Sequence, residues 1–135
     1  MKEYIFTSAQ FEGYMLFAYD QEGGLVRFEQ NAILMDKQIR YLFDHFPFTE
    51  SDLPNIQGST GKIVESTDLS FERFWADYNY KKDKASAERY WARMSKIEKA
   101  KALAGVKRYR YDCIRNNRDM VYAIRYLKNR RYMDE

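Results

Sequence analysis

The chain has 135 residues, of which 45% are hydrophobic, 17% aromatic and 32% charged, and its formal net charge is +3. This length fits one domain or two small lobes that share a core, and the high aromatic content argues against a disordered chain. No apolar run of about 18 residues and no signal-peptide pattern is present, and the single cysteine, Cys113, excludes an intramolecular disulfide, so we expect a cytoplasmic protein without membrane contact.

The first stretch of the chain is rich in β-forming residues. Short runs of this kind occur at 4–7, 14–19 and 25–29. The second and third runs are separated by an acidic loop that ends in Gly23-Gly24. Two β-rich runs around a short glycine-containing loop predict a β-hairpin with a longer turn.

A helix is predicted after this hairpin. Asp36 is its predicted N-cap, and Pro47 ends it. The residues with helical spacing on its apolar face are Ile39, Leu42, Phe43 and Phe46. Thr49-Glu50-Ser51-Asp52 then predicts a short helical turn, and residues 62–65 predict one more strand.

The most strongly patterned stretch is 71–94, which contains both tryptophans. Phe71, Phe74, Trp75 and Tyr78 follow the spacing i, i+3, i+4, i+7, and Ala87, Tyr90, Trp91 and Met94 repeat it. The basic turn Lys81-Lys82-Asp83-Lys84 separates the two sets. The pattern predicts two helices in a hairpin, with Trp75 and Trp91 buried in a shared core.

Two further helices are predicted at the C-terminal end. Ser95 and Glu98 form a capping box that opens a helix to about Arg115. Asn116-Asn117 breaks it, and a last helix from about Arg118 to Arg131 is expected to bury Met120, Ala123, Ile124 and Leu127. The fold class is therefore predicted to be α+β. We expect an acidic lobe of strands and one helix at 1–66 and a basic bundle of about four helices at 67–135, together one compact unit.

Charge is distributed unevenly between the two halves. Residues 1–66 carry five basic and ten acidic residues, a net charge of −5, whereas residues 67–135 carry eighteen basic and ten acidic residues, a net charge of +8. Such asymmetry is typical of proteins that bind nucleic acid or an acidic partner. It is also compatible with two halves that neutralise each other, and the sequence leaves both interpretations open.

Residues that could support catalysis or metal binding are scarce. His45 is the single histidine and lies far from Cys113 in sequence, so no nucleophile–base pair is evident. The acidic pairs Asp20/Glu22 and Glu50/Asp52 fall in predicted turns, where solvated acids are common, and metal-ligand spacing is absent. We therefore expect a protein that is not an enzyme and has no metal or cofactor.

Nucleic-acid binding has a better physical basis than catalysis or metal binding, because basic and aromatic side chains occur together in the helical half of the chain. Lys and Arg contact phosphates, and exposed tyrosines stack on unpaired bases. On a helical wheel of the last helix, Arg118, Tyr122, Arg125, Tyr126 and Asn129 fall on one side. The predicted binding residues are Lys81, Lys82, Lys84, Lys107, Arg108, Arg110, Arg118, Tyr122, Arg125, Tyr126, Arg130 and Arg131. A solvated basic face, or one that contacts a protein, is the alternative.

A resemblance of the helical half to a known protein family supports this interpretation. The string Phe71-x-x-Phe74-Trp75-x-x-Tyr78, followed by basic residues and Trp91, resembles a helical module of phage and prophage replication proteins and covers about 70–130. Asn79-Tyr80 stand where that module has proline, and the first half instead looks like small uncharacterised phage or mobile-element proteins. The resemblance implies a non-enzymatic mobile-element protein that binds nucleic acid in a replication complex. The alternative is a protein-binding regulator, such as a phage inhibitor of a host nucleic-acid or defence machine.

Overall fold

The computed structural model describes residues 1–58 and 60–133. The chain divides into two compact units, Met1–Thr67 and Asp68–Glu135. The first contains a β-sheet with short helices, and the second is helical, so the predicted α+β class is confirmed. Across the described ranges, no helix is both long enough and apolar enough to cross a membrane.

The first unit is built on a four-stranded sheet in which all neighbours are antiparallel. Its strands are β1 (Lys2–Ser8), β2 (Phe11–Tyr19), β3 (Leu25–Ile33) and β4 (Gly61–Glu65). They lie in the order β3-β2-β1-β4. The predicted strands are thus present, and β2 and β3 are longer than the sequence pattern indicated.

The predicted hairpin between β2 and β3 is confirmed, and Asp20 organises its turn. One carboxylate oxygen of Asp20, Oδ1, accepts the backbone N–H groups of Glu22 and Gly24, each at 2.9 Å. Gly23 has φ +85°, a conformation that a side chain would strain. The Asp20 carboxylate therefore serves the turn, which accounts for an acidic residue at this position.

One side of the sheet is covered by α1 (Asp36–Asp44) and by a 3-10 segment, Glu50–Ile56. The core of this unit contains Phe6, Met15, Phe17, Tyr19, Ala32, Leu42, Leu53 and Ile56. The prediction that Ile39 and Phe43 belong to the apolar face of α1 is wrong, because both are exposed while Leu42 is buried. The N-cap is Met35 rather than Asp36.

Tyr19 should make this unit sensitive to alkaline pH. Its buried hydroxyl donates to the carbonyl of Pro47 at 2.9 Å, and burial, with help from the Glu50 and Asp52 carboxylates, raises the pKa of Tyr19 to about 12. Since the pKa is higher in the folded chain than in the unfolded one, the stabilisation is complete below about pH 10 and is lost as pH rises towards the folded pKa.

We expect the free energy of unfolding to fall by up to about 1.4 kcal/mol per pH unit in that window for this one tyrosine. Urea titrations at a series of alkaline pH values measure this slope. Tyr19→Phe keeps the ring and removes the ionisable group, so its slope should be shallower by about one proton. An unchanged slope in Tyr19→Phe would show that Tyr19 ionises equally in both states.

The second unit consists of four helices and a terminal 3-10 turn. Its elements are α2 (Phe71–Tyr78), α3 (Lys84–Arg93), α4 (Lys96–Arg115), α5 (Ala123–Lys128) and the 3-10 turn Arg131–Met133. Ser70 caps α2 by accepting the N–H of Arg73, and Ser95 caps α4 by accepting the N–H of Glu98 at 3.1 Å. These side-chain oxygens satisfy amides that have no partner inside the helix, so α2 and α4 begin where the sequence predicts.

The core of the helical unit is aromatic. Phe74 stacks on Trp91 with ring centroids 4.9 Å apart, and Tyr78 packs against Phe74 and Tyr126. Trp91 is buried, as predicted, but Trp75 is only half-buried and stacks on Phe71 at the edge of the cluster. The two indoles are therefore unequal, and Trp91 holds the central position.

The prediction of one helix from Arg118 to Arg131 is wrong in its first half. Helix α5 begins at Ala123. Before it, Asn117 has φ +53°, and the peptide of Val121 is bound by two tyrosines. Its N–H donates to the hydroxyl of Tyr109 at 2.9 Å, and its carbonyl accepts the hydroxyl of Tyr78. Because side chains bind these backbone groups, residues 118–122 have no regular secondary structure. Arg118 and Tyr122 therefore do not share a helix face with Arg125, Tyr126 and Asn129.

Candidate functional site

The turn between α2 and α3 presents three lysines to solvent. Asn79 and Asp83 both adopt the left-handed conformation, with φ +50° and +52°, and they bound a tight connection. Asn and Asp are the non-glycine residues that tolerate this conformation best. Lys81, Lys82 and Lys84 are exposed on it. The predicted basic turn is therefore present, and its shape follows from the two residues that bound it.

The segment 118–122 lies against this turn. The rings of Tyr80 and Tyr122 meet edge to face with centroids 5.9 Å apart, and Tyr122 remains 46% exposed. Arg118 is exposed at the start of the segment and is tied to α4 by its N–H, which donates to the carbonyl of Cys113 at 2.8 Å. Tyr80 was missed at the sequence level. Its position directly before the lysines was the available signal.

Arg110 contacts the C-terminal end of α2, where this turn begins. Its Nη1 donates to the carbonyl of Asp77 at 3.2 Å, at the C-terminal end of α2, where a helix favours a positive charge. Its Nε atom is buried without a hydrogen-bond partner among the described residues. Arg110 is half-buried, so it positions the end of α2 and contributes charge without being freely accessible.

We call the group Tyr80, Lys81, Lys82, Lys84, Arg118 and Tyr122 the basic turn surface; all of these residues are exposed except Tyr80, which is half-buried. None of its four cations forms an ion pair with any carboxylate within residues 1–58 and 60–133. Asp83 is exposed in the same turn and removes one unit of charge. The surface thus combines an exposed tyrosine with a net positive charge, and none of its cations is held in an ion pair by a carboxylate of the described residues.

Buried tyrosines hold the surface in place. Burial is the largest cause that raises the pKa of Tyr78 and that of Tyr109 above the ordinary tyrosine value. Both phenols are therefore protonated at neutral pH. The Tyr78 hydroxyl can donate to the carbonyl of Val121, and the Tyr109 hydroxyl accepts the N–H of the same residue. Because Tyr122 directly follows Val121, this pair of contacts also determines where Tyr122 lies.

The remaining predicted residues do not form one face with the basic turn surface. Tyr126 is the clearest correction: it is 0% exposed, and its hydroxyl donates to the carbonyl of Ala102 at 2.8 Å, so it cannot stack on a base. Arg130 pairs with Glu98 near the start of α4. The rise of an α-helix separates Glu98 from Arg110 by about 18 Å. Arg131 follows Arg130 in the terminal 3-10 turn.

The other cations lie on outer helix surfaces. Lys107 and Arg108 are exposed on α4, and Arg125 is exposed on α5. Beside the α4 pair, Tyr111 and Ile114 are also exposed. Of the twelve predicted residues, the structure therefore places five in a compact surface at the α2–α3 turn, with Arg110 half-buried next to it. Lys107 and Arg108 lie in a mixed apolar and cationic strip on α4, Arg125, Arg130 and Arg131 lie apart, and Tyr126 is buried.

Groups with metal-binding or nucleophilic chemistry do not come together. Across residues 1–58 and 60–133, no three His, Cys, Asp or Glu side chains form a metal-sized cluster. Cys113 is buried, and His45 stacks on Tyr41 with centroids 4.2 Å apart. Glu50 accepts the hydroxyl of Tyr4, and Asp52 accepts the hydroxyl of Thr49. These side chains have structural contacts that account for them.

Comparison with known proteins gives one result, and it concerns the helical unit. Residues 66–130 match the family model of the Legionella vir region protein LvrA C-terminal domain. The match spans just under half of the chain and contains the whole basic turn surface. No curated protein and no solved structure matches the chain. The helical unit is thus similar to a domain of a mobile-element family, and this match gives no support to the resemblance to a replication module.

Proposed function

We propose that the helical unit binds nucleic acid through the basic turn surface. The observation that carries this proposal is the exposed Tyr122 ring beside Lys81, Lys82 and Lys84, cations that no described carboxylate pairs with. Lysines contact phosphates without regard to sequence, and an aromatic ring stacks on any unpaired base. The combination favours single strands.

The parts of the surface have different roles in this proposal. The lysines and Arg118 neutralise phosphates and release counterions, which makes binding depend on salt. Tyr122 is 46% exposed and would stack on a base, while its ring meets that of Tyr80 edge to face with centroids 5.9 Å apart. Arg110 donates to the carbonyl of Asp77 and so holds the end of α2, from which the turn starts.

Tyr122→Ala tests the stacking role. We expect this substitution to weaken binding of a single-stranded oligonucleotide by about 1–3 kcal/mol, because one base loses its aromatic partner. Binding of a duplex should change much less, since its bases are already stacked on each other. Fluorescence anisotropy with labelled single-stranded and duplex oligonucleotides measures both affinities.

Tyr41→Ala is the matched control, because Tyr41 is a tyrosine of the sheet unit with 45% exposure, almost equal to that of Tyr122. It should leave both affinities unchanged. Equal losses for single strands and duplex in Tyr122→Ala would rule out stacking and leave only a role in positioning the turn.

A mobile-element setting is consistent with this function. The match to the LvrA domain supports an origin of that kind in a loose sense. A place in a replication complex is the narrower hypothesis, and its support is the resemblance of residues 70–130. A pull-down from cells that carry the replicating element tests it, because a replication role requires that replication proteins are enriched only when nucleic acid is intact.

The alternative, a protein-binding regulator, is favoured by a different surface. Ile114 is 77% exposed on α4, and Tyr111 is exposed nearby among Lys107 and Arg108. Exposed aromatic and aliphatic side chains mixed with arginine are typical of protein interfaces. If oligonucleotides fail to bind at low salt, while Ile114→Asp abolishes capture of a specific protein, the regulator hypothesis replaces the nucleic-acid one.

A further inference from the structure

A groove lies at the other end of α4 from the basic turn surface. It has a volume of about 440 Å³ and is formed within the helical unit. Its lining residues are Tyr90, Arg93, Met94, Ser95, Glu98, Arg130 and Tyr132. This volume falls in the range of small-molecule binding sites, and charged and aromatic side chains line it together.

Glu98 holds one side of the groove. Its Oε2 accepts the hydroxyl of Tyr132 at 2.6 Å, and its Oε1 accepts Nη2 of Arg130 at 3.1 Å. Lys101 approaches the same Oε1 at 3.9 Å. Glu98, the one carboxylate among the described lining residues, is therefore matched by two cations. Arg130 also forms a side-chain hydrogen bond with Tyr132. A guanidinium carries five N–H donors, so Arg130 can still donate to a ligand.

Arg93 is the second arginine that lines the groove. Its guanidinium carbon lies 5.7 Å from the centre of the Tyr90 ring, a cation–π geometry that orients a guanidinium without using its hydrogen bonds. Within residues 1–58 and 60–133, no carboxylate forms an ion pair with Arg93. The hydroxyl of Ser95 accepts the N–H of Glu98, which leaves its own proton available.

We propose that this groove binds a phosphate monoester of nucleotide size. Arg93 and Arg130 would hold the phosphate, because guanidinium groups pair with phosphate oxygens through two hydrogen bonds at once. Among the described lining residues, two arginines and one carboxylate give a net positive charge, which suits a group of charge about −2. Tyr90 and Met94 offer an apolar wall for a planar body. This site is separate from the basic turn surface and goes beyond the proposed function.

Calorimetric titration with adenosine 5′-monophosphate and with adenosine tests the proposal. We expect the monophosphate to bind and adenosine to bind at least about tenfold more weakly, because a charge-assisted hydrogen bond is lost with the phosphate. Arg93→Gln should weaken monophosphate binding by about tenfold for the same reason. Arg89→Gln, the same change four residues earlier on α3 and outside the groove, should leave it unaltered.

Two sources of the phosphate can be separated with oligonucleotides. If a 5′-phosphorylated single strand binds the Arg93-dependent site more tightly than the monophosphate, the ligand is a strand end. If the two bind equally, it is a free nucleotide. Lys81→Gln/Lys82→Gln should leave monophosphate binding intact. Loss of nucleic-acid binding at the basic turn surface can therefore be distinguished from loss of monophosphate binding in the groove. Absence of monophosphate binding, equal binding of adenosine, or equal losses in Arg93→Gln and Arg89→Gln would overturn the proposal.

Discussion

Replacing Trp91 with alanine is expected to lower the free energy of unfolding of the helical unit by about 3–5 kcal/mol. Trp91 is only 3% exposed, and it stacks on Phe74 at 4.9 Å. Its Nε1 donates to the carbonyl of Leu69 at 3.1 Å. The substitution would leave a cavity in the aromatic core and also remove the donor for that carbonyl. Urea unfolding followed by far-ultraviolet circular dichroism measures the loss.

Trp75→Ala is the matched control for this experiment. It removes the same side chain from the neighbouring helix, but Trp75 is half-buried at the edge of the core. We expect a loss of about 1–2 kcal/mol, since little cavity remains where solvent already reaches the ring. Equal losses in the two variants would contradict the central position that the structure gives to Trp91.

The second large effect is expected on binding. Lys81→Gln/Lys82→Gln removes two cations from the basic turn surface and should lower affinity for single strands at low salt. For single strands, each lost phosphate contact reduces the slope of log K against log salt by about 0.7, so the double variant should reduce it by about 1.4. Anisotropy titrations at several salt concentrations measure the slope.

Lys2→Gln/Lys37→Gln is the control for this variant. Both lysines are exposed in the sheet unit, and the change in net charge is identical. An equal reduction of the slope in the control would show that binding follows the total charge of the chain rather than the charge of the turn.

Much of the fold could be predicted because its signals are local. The Asp20 loop, the Ser95–Glu98 cap and the aromatic spacing of α2 each act over a few residues, and each appears in the structure. The segment 118–122 could not be predicted in this way. Its conformation depends on hydroxyls of Tyr78 and Tyr109, which are distant in sequence, and helical periodicity contains no information about them.

The candidate site was predictable in composition but not in arrangement. The lysines of the α2–α3 turn are adjacent in sequence, so they remain together in the fold. Tyr126 has the spacing of an exposed residue on an assumed long helix. It is buried because α5 is short and packs that side against α4, where its hydroxyl reaches Ala102. Gly105 contributes to this packing, since an added Cβ would meet Tyr132 at 2.6 Å.

Titration of the full chain against a labelled single-stranded oligonucleotide, first at low salt and then at physiological salt, is the most direct measurement of nucleic-acid binding. We expect binding with a dissociation constant of about 10⁻⁴–10⁻⁶ M at physiological salt, tighter at low salt, with affinity that falls linearly on a log–log plot as salt rises. Absence of binding at low salt would contradict the proposed function.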